Sequence, residues 1–187
     1  MTQQIYKGFH TCKNKGGYEH VVSNIPFRSG HGENQWLTEG FYFWTDSPYW
    51  AKEWLSKQPR VIGEFKIELC RSTELLDLVG NVEHQLEFVK LKNTLLESIE
   101  LAERKKITVH QVISYFRRRE NMFPYSAIKA EDGKKLETMR FIDSKFQRSE
   151  KIDLVTRQQM CVFEKARDRI QLVGFEEPTE FQVRFTS

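Results

Sequence analysis

Apolar and polar residues alternate along several stretches of this chain, as they do in half-buried β-strands. In residues 60–69 the charged residues take one face and the apolar residues take the other, the latter being Val61, Phe65, Ile67 and Leu69. Shorter stretches predict further strands at residues 5–9, 41–43, within 153–163, at 170–173 and at 181–185. We interpret residues 72–78 as a connector and residues 18–22 as a short helix.

A helical spacing replaces the alternation after residue 82. Apolar residues recur at intervals of three and four as far as about residue 103, which predicts an amphipathic helix. Thr108 and Gln111 have the spacing of a capping box and predict a second helix. Both lie within residues 82–120, which we interpret as a helical insertion in a mostly β chain. The predicted fold class is α+β, in a single domain spanning residues 1–187.

Aromatic residues are concentrated between positions 40 and 54. A predicted strand leads through a turn into a short helix, and the two together carry Phe41, Tyr42, Phe43, Trp44, Tyr49, Trp50 and Trp54. Aromatic faces at a strand end and a helix start can hold a flat ring by stacking, at about 0.5–1.5 kcal/mol per ring pair beyond burial. A polar, glycine-bearing loop at residues 28–35 precedes this unit. The combination predicts a pocket for a nucleotide cofactor.

Composition narrows the class of protein only slightly. The 187 residues carry 29 Lys and Arg against 26 Asp and Glu, and this net charge of +3 permits contact with nucleic acid without requiring it. Cys12, Cys70 and Cys161 lie far apart and without metal-ligand spacing, so neither a disulfide framework nor a zinc site is predicted. A polar N-terminus and the lack of a long apolar run predict a cytoplasmic protein.

Three segments resemble, in this order, the motifs of the ADP-ribosyltransferase fold. They are Tyr6-Lys7-Gly8, Gly40-Phe41-Tyr42-Phe43 and Arg157-Gln158-Gln159-Met160-Cys161-Val162-Phe163. In that family, shared by diphtheria-type toxins, poly(ADP-ribose) polymerases and small bacterial toxins, the first motif is an aromatic residue, His or Arg, and Gly. The second is Gly-x-Tyr before a helix, and the third is a strand with a catalytic Glu. The resemblance implies two facing antiparallel β-sheets around a cleft that binds NAD as substrate.

The first motif implies three cofactor contacts. The backbone of Gly8 would meet the nicotinamide carboxamide, since a residue without Cβ lets a flat amide come close. Lys7 stands where the family has His or Arg and would contact a ribose hydroxyl or the pyrophosphate. A solvated strand lysine is the plain alternative. His10, on the same strand face as Gly8, is a second candidate for the role of Lys7.

The second motif implies a stacking site for the nicotinamide ring. Tyr42 would form one side of it and Trp54 the other. The alternative is that both are ordinary core aromatics. Arg28 and His31 in the preceding loop are candidates for holding the phosphates on the adenine side, and solvated loop residues are the alternative there.

The third motif departs from the family because Gln159 stands at the position of the catalytic Glu. A Glu would stabilise the oxocarbenium-like transition state and deprotonate the incoming nucleophile. Gln keeps a hydrogen bond but supplies neither charge nor a base. Three outcomes stay open: an acceptor that needs little deprotonation, a carboxylate from elsewhere, or a non-catalytic cofactor-binding fold. The candidate carboxylates are Glu150, Asp153 and Glu164.

Basic residues before the third motif point to the acceptor. Lys145, Arg148 and Lys151 surround Phe146, and in the resembling family this loop selects the acceptor molecule. An aromatic residue among cations suits stacking on an unpaired base of RNA or DNA. Further basic runs at residues 104–106 and 117–119 are read either as part of the same surface or as charges that complement helix ends.

We therefore expect an NAD-dependent ADP-ribosyltransferase of a toxin–antitoxin or phage-defence type. Its catalytic residues would be Gln159, Tyr42 and Lys7, and its favoured acceptor would be RNA. Transfer to a protein side chain is the alternative reaction, and a non-catalytic nucleotide- or partner-binding module is the alternative class. An antitoxin or chaperone would be a further partner.

Overall fold

Nine strands organise the chain in the computed structural model, which describes residues 3–30, 35–100, 107–142 and 150–186. They are β1 (Gln3–Lys13), β2 (Phe41–Thr45), β3 (Arg60–Cys70), β4 (Leu75–Asp77), β5 (Ala127–Glu131), β6 (Glu137–Arg140), β7 (Lys151–Leu154), β8 (Gln158–Val162) and β9 (Ile170–Glu177). Seven of them form one sheet in the order β4-β5-β8-β2-β1-β3-β9, and β6 pairs with β7 separately. Only the β4–β5 pair is parallel among these described strands.

Helices cover both faces of the large sheet. They are α1 (Gly17–Asn24), α2 (Tyr49–Glu53), α3 (Val82–Glu97), α4 (Val109–Phe116) and α5 (Thr179–Thr186), with a 3-10 helix at Glu164–Arg169. Val21 of α1 and Phe181 of α5 are buried in a core with the inward residues of β2 and β3. Leu91 of α3 and Phe116 of α4 belong to a second core with residues of β4, β5 and β8. Because each strand alternates its side chains, the sheet separates these two cores.

The predicted capping box is present at the start of α4. Thr108 Oγ1 accepts a hydrogen bond from the backbone N–H of Gln111, and the Gln111 side chain accepts one from the backbone N–H of Thr108. A reciprocal cap of this kind satisfies two backbone donors that a helix start leaves over. At the start of α3, Asn81 Oδ1 accepts hydrogen bonds from the backbone N–H groups of Glu83 and His84. The helices predicted at these positions are therefore confirmed, with α3 ending at Glu97.

The small second sheet is the outer part of a two-stranded ribbon. Backbone hydrogen bonds continue from β5 and β8 outward, from Asp132 N–H to Arg157 O and from Arg157 N–H to Lys134 O, into the β6–β7 pair. The described side chains of β6 and most of β7 are exposed. We call residues 132–142 and 150–157 the arm.

The α+β class is confirmed, but the strand pairing differs from two facing antiparallel sheets. β1 joins both halves of the large sheet because it pairs with β2 as well as with β3. The strand predicted within 153–163 is β8, and the first residues of that range belong to a separate strand, β7, which ends before Val155, whose φ of 51° departs from extended backbone. The connector at 72–78 contains the short edge strand β4.

The strand predicted at residues 181–185 is wrong, because this segment is helix α5. Phe181 and Phe185 are four residues apart, a spacing that a helix also places on one face. Both rings pack on Phe175 of β9, at centroid distances of 5.3 and 5.5 Å, while Val183 is 60% exposed. A short apolar alternation is compatible with the period of a strand and with that of a helix. Here the packing on β9 favours the helix.

Within the described ranges, no helix has both the length and the apolar character needed to cross a bilayer.

Candidate functional site

The large sheet opens between β1 and β2. These strands pair at Gly8–Thr45 and Phe9–Trp44, whereas β1 and β3 pair without interruption from Gln3–Cys70 to Lys13–Arg60. Beyond Phe9, strand β1 therefore stays paired with β3 but is no longer paired with β2. At such a gap in the middle of a sheet, backbone N–H and C=O groups are not paired by a neighbouring strand, as they are in a regular ladder.

His10 bridges this gap. Its Nδ1 donates a hydrogen bond to the backbone C=O of Tyr42 (2.9 Å), and its Nε2 accepts one from the backbone N–H of Phe27 (3.2 Å). Since a backbone N–H can only donate, the proton of the neutral ring sits on Nδ1. Burial lowers the pKa of His10 to about 4, against the opposing effect of the Tyr42 carbonyl. The imidazole is therefore neutral at physiological pH and replaces a ladder hydrogen bond across the gap.

A cavity of about 540 Å³ lies beside the bridging histidine. Such a volume is in the range of ligand pockets. Its described walls combine aromatic and polar side chains, namely His10, Thr11, Phe27, Ser29, Gln35, Trp36, Tyr42, Trp44, Trp54, Asp132, Arg157 and Gln159. Two of the three segments that resemble transferase motifs, the second and the third, therefore contribute directly to one cavity.

Tryptophans form much of the aromatic wall. Trp44 is buried on β2, two residues from Tyr42 and hence on the same face of the strand. Trp54 ends α2 and packs against Trp44 with ring centroids 5.9 Å apart and an interplanar angle of 52°. Trp54 is nevertheless 51% exposed. A large ring left half in solvent at a cavity mouth is an available stacking surface.

Gln159 lies on β8 directly opposite Trp44 of β2. Its Oε1 accepts a hydrogen bond of 2.9 Å from Nε1–H of Trp36. An indole nitrogen can only donate, so this bond fixes the orientation of the Gln159 amide. The amide nitrogen is consequently the end left to donate to other groups. Gln159 is held as an oriented dipole.

Tyr42 has a structural bond as well as a place in the cavity wall. Its hydroxyl donates to the C=O of Thr38 (2.7 Å) and accepts from the N–H of Leu37 (3.0 Å). Burial, the largest cause, raises the pKa of the Tyr42 phenol well above its ordinary value, so it stays protonated. The residues it holds belong to the segment 35–40, which also carries Trp36. The ring faces the cavity while the hydroxyl anchors this segment.

The backbone of Thr11 lies at the edge of the cavity. Lys7 O accepts from Asp46 N–H on the β2 side, and Asn14 N–H donates to Pro59 O on the β3 side. Because backbone groups of alternate residues face the same neighbour, odd-numbered residues of β1 face β2. The N–H and C=O of Thr11 therefore point into the gap past Phe9. Its side-chain hydroxyl donates to the C=O of Ala51 (3.1 Å).

An ion pair lies where the arm meets the cavity. Arg157 Nε donates to Asp132 Oδ2 at 2.7 Å, and its Nη2 contacts the same oxygen. Partial burial raises the pKa of Asp132, but hydrogen bonds from Arg157 and the Lys134 N–H outweigh it, so the net pKa lies below its usual value. Asp132 is the one carboxylate among the described cavity walls, and it is ionised at neutral pH.

Gly8 and Lys7 lie away from the described cavity walls. A Cβ on Gly8 would come within 2.9 Å of Phe43 Cβ and 3.0 Å of Ile67 Cδ1, so the core packing requires a glycine there. Lys7 forms an ion pair of 2.8 Å with Glu64 and is half exposed. The described β1 residues that line the cavity are His10 and Thr11, which follow the first motif.

The remaining predicted residues are dispersed. Arg28 forms ion pairs with Glu39 (2.9 Å) and Glu164 (3.5 Å) rather than lining the cavity. Asp153 pairs with Lys135 on the arm, and Glu150 is an exposed arm residue, so none of the three candidate carboxylates is a described wall residue. Lys151 lies on the arm. His31, Lys145, Phe146 and Arg148 lie outside the described residues.

Sequence reasoning missed Trp36, Thr11, Asp132 and Arg157 as wall residues. The only available signal was position, since Trp36 follows the polar loop and Arg157 opens the third motif. The contact between Trp36 and Gln159 joins positions 123 residues apart, which no local pattern encodes. Within the described ranges, no three His, Cys, Asp or Glu side chains are grouped closely enough to ligate a metal ion.

The assignment of Gly8 to packing predicts a stability effect. Gly8→Ala is expected to lower the free energy of unfolding by about 1–3 kcal/mol, because the added methyl overpacks the core against Phe43 and Ile67. Gly174→Ala is the matched control, since nothing lies within 4 Å of its added Cβ. Urea unfolding of the two variants measures the difference. Equal stabilities would contradict the packing role.

No protein-family model, curated protein or solved structure matches this chain. The cavity and the residues around it are therefore the basis for assigning a function.

Proposed function

We propose that the protein is an NAD-dependent ADP-ribosyltransferase whose cavity between β1 and β2 binds the nicotinamide end of NAD. One observation carries the proposal. The three strands singled out by the motif resemblance are neighbours in the sheet, in the order β8-β2-β1, and a cavity lined by Tyr42, Trp54 and Gln159 lies where two of them separate. Strands distant in sequence thus meet at one concave, largely aromatic site.

Nicotinamide suits the walls of this cavity. Its flat cationic ring would lie against the rings of Tyr42 and Trp54, since π faces attract both flat rings and cations. Its carboxamide needs one donor and one acceptor side by side. The N–H and C=O of Thr11, which point into the gap, offer that pair, and they take the place that the motif resemblance gave to Gly8.

The proposed reaction breaks the bond between the nicotinamide nitrogen and the ribose carbon. The electron pair leaves with nicotinamide, the ribose carbon becomes oxocarbenium-like, and a nucleophile on the acceptor forms the new bond and loses a proton. The amide nitrogen of Gln159, the end left to donate, would hold a ribose hydroxyl of NAD and so position the sugar for bond cleavage. Asp132 at the cavity edge is ionised, and its ion pair with Arg157 offsets its charge there.

The arm is the proposed acceptor-binding element because it starts at the cavity edge. Arg140 and Lys151 are register partners on β6 and β7, both exposed, and Phe141 beside them is 64% exposed. Exposed cations with an exposed aromatic ring suit a nucleic-acid backbone and an unpaired base. We therefore favour RNA as acceptor and propose a cytoplasmic toxin of a toxin–antitoxin or phage-defence system. A protein side chain is the alternative acceptor.

A non-catalytic NAD-binding module is the second candidate function. The observation in its favour is that the amide oxygen of Gln159 is already bonded to Trp36, while Asp132 is tied to Arg157. Gln159 cannot act as a base, and the carboxylate of Asp132 is occupied by Arg157. Incubation of the purified protein with NAD separates the two, since only an enzyme releases nicotinamide above a protein-free blank.

The acceptor class is tested with NAD labelled in its adenylate part and added to a cell lysate. The proposal predicts label in material that ribonuclease degrades. Label that only protease releases would replace RNA by a protein acceptor, and label released by deoxyribonuclease would replace it by DNA. A lysate without the protein is the blank.

The arm assignment predicts a charge effect on acceptor binding. The double variant Arg140→Ala, Lys151→Ala should weaken RNA binding and flatten its salt dependence by about one unit of log–log slope per lost phosphate contact. NAD binding should not change. Lys66→Ala, Lys92→Ala removes the same charge from exposed positions on β3 and α3 and serves as control. If the salt dependence of RNA binding changes in the control variant and not in the arm variant, the acceptor does not bind at the arm.

A further inference from the structure

Hydrogen bonds from both ends of helix α4 hold the segment 35–40. Near the start of the helix, Nδ1 of His110 donates to the C=O of Gln35 (2.7 Å). At its end, Nη1 of Arg117 donates to Oγ1 of Thr38 (2.7 Å) and to the C=O of Glu39 (3.0 Å). Three hydrogen bonds from one helix therefore hold a segment that has no regular secondary structure of its own.

Leu37 anchors the same segment in the core under the helices. It is fully buried, in a cluster whose other members include Leu91 and Leu95 of α3 and Ile113 of α4. The residue before it is Trp36 and the residue after it is Thr38. Burial of Leu37 thus places one neighbour toward Gln159 and the other toward Arg117.

Thr38 has a backbone conformation that needs support. Its φ is 71°, in the left-handed region that a β-branched residue rarely adopts. Arg117 bonds its side chain, Tyr42 bonds its C=O, and its N–H donates to Gln35 O (2.9 Å). Such conformations persist where the surroundings over-determine them, and they concentrate at functional sites.

Arg117 is itself fixed against the strand that carries Gln159. Its guanidinium lies 4.6 Å from the centroid of the Phe163 ring, and Phe163 directly follows β8. Arg117 therefore contacts both chain segments that the Trp36–Gln159 hydrogen bond joins, namely the segment 35–40 and the residue that follows β8.

We propose that α4 sets the orientation of the catalytic amide, with Arg117 and His110 as positioning residues. Arg117 holds Thr38 in its unusual conformation, Thr38 and Leu37 place Trp36, and Trp36 orients Gln159. The helical insertion then has a role in the reaction although none of its described residues lines the cavity. The activity part rests on the function proposed above, whereas the orientation of Trp36 does not.

The indole N–H groups give a readout that needs no activity. Trp36 and Trp50 both donate hydrogen bonds from Nε1, to Gln159 and to Thr156 O respectively. In Arg117→Met, hydrogen exchange at the Trp36 indole is expected to accelerate about tenfold or more, and the Trp50 indole should exchange at its original rate. Trp36→Phe assigns the signal, and Gln159→Ala gives the rate without the bond.

Kinetics supply the second readout. The turnover number for nicotinamide release should fall about tenfold or more in Arg117→Met, with the KM for NAD within about threefold, because misplacement of a reacting group affects rate more than binding. Arg117→Lys, which keeps a donor, should recover part of both effects. Arg118→Met removes the same charge from the exposed neighbouring position and should change neither.

Unchanged Trp36 exchange in Arg117→Met would overturn the positioning role, whatever the activity. If both indoles lose protection together in this variant, His110→Leu decides, since it removes a single hydrogen bond at the other end of α4. Equal loss at both indoles there would also overturn it. If the wild type releases no nicotinamide, the proposed function fails while selective loss at Trp36 still supports the placement.

Discussion

Replacing Gln159 with alanine is expected to slow nicotinamide release about 10²-fold, because the reacting sugar would lose the hydrogen bond that positions it. NAD affinity should fall only a few-fold, because the aromatic walls and the Thr11 backbone stay in place. The reason lies in geometry. Gln159 lies opposite Trp44, and Trp36 fixes its amide. A group oriented before the reaction contributes mostly to the rate.

Two further variants sharpen this test. Gln158→Ala is the matched control, because Gln158 bonds Thr156 Oγ1 and is not a described wall residue. Gln159→Glu should still accept the Trp36 hydrogen bond and adds a negative charge beside the developing cation, so faster NAD cleavage, including hydrolysis, is expected. Nicotinamide is quantified by chromatography and NAD affinity by calorimetry. A rate for Gln159→Ala equal to that of Gln158→Ala would remove Gln159 from the mechanism.

Replacing His10 with leucine is expected to lower the free energy of unfolding by about 2–5 kcal/mol. The substitution leaves the C=O of Tyr42 and the N–H of Phe27 without their partner in a part-buried site, at about 1–3 kcal/mol each. These two bonds join β1 to β2 and to the segment after α1 across the gap. His20→Leu, at an exposed position of α1, is the control. Urea unfolding at neutral pH measures both.

The same variant should change how stability depends on pH. The pKa of His10 is lowered from 6.5 to about 4 in the folded protein, so between these values the unfolded chain binds a proton that the folded chain does not. Neutral His10 therefore makes its full contribution to the free energy of unfolding above pH 6.5. This contribution, about 3 kcal/mol, is lost as the pH falls toward 4. His10→Leu should flatten the curve in this window. A curve as steep as that of the wild type would contradict the buried bridge.

Several elements were predictable because their signals are local. The alternation of residues 60–69 predicted β3, and Thr108 with Gln111 predicted the start of α4. The alternation around Phe181 was too short to separate a helix from a strand. The faces of α3 were also harder to predict, since Leu86 and Val89 have helical spacing yet are 51% and 46% exposed.

The site was predictable only in part. Tyr42, Trp54 and Gln159 were identified by a motif pattern and share one cavity. Gly8 matched the same pattern, but a glycine is equally required where two core side chains approach, and sequence does not distinguish the two causes. Trp36 and Asp132 reach the cavity through chain pairings that only the folded sheet creates.

The indole signals of the four tryptophans during an NAD titration test the central claim most directly. Trp36, Trp44 and Trp54 line the cavity, whereas Trp50 is not a described wall residue. The account predicts that the first three signals shift with one common dissociation constant, that Trp50 shifts least, and that free nicotinamide accumulates. Signals that stay unmoved at saturating NAD, or a shift confined to Trp50, would contradict a nicotinamide site between β1 and β2.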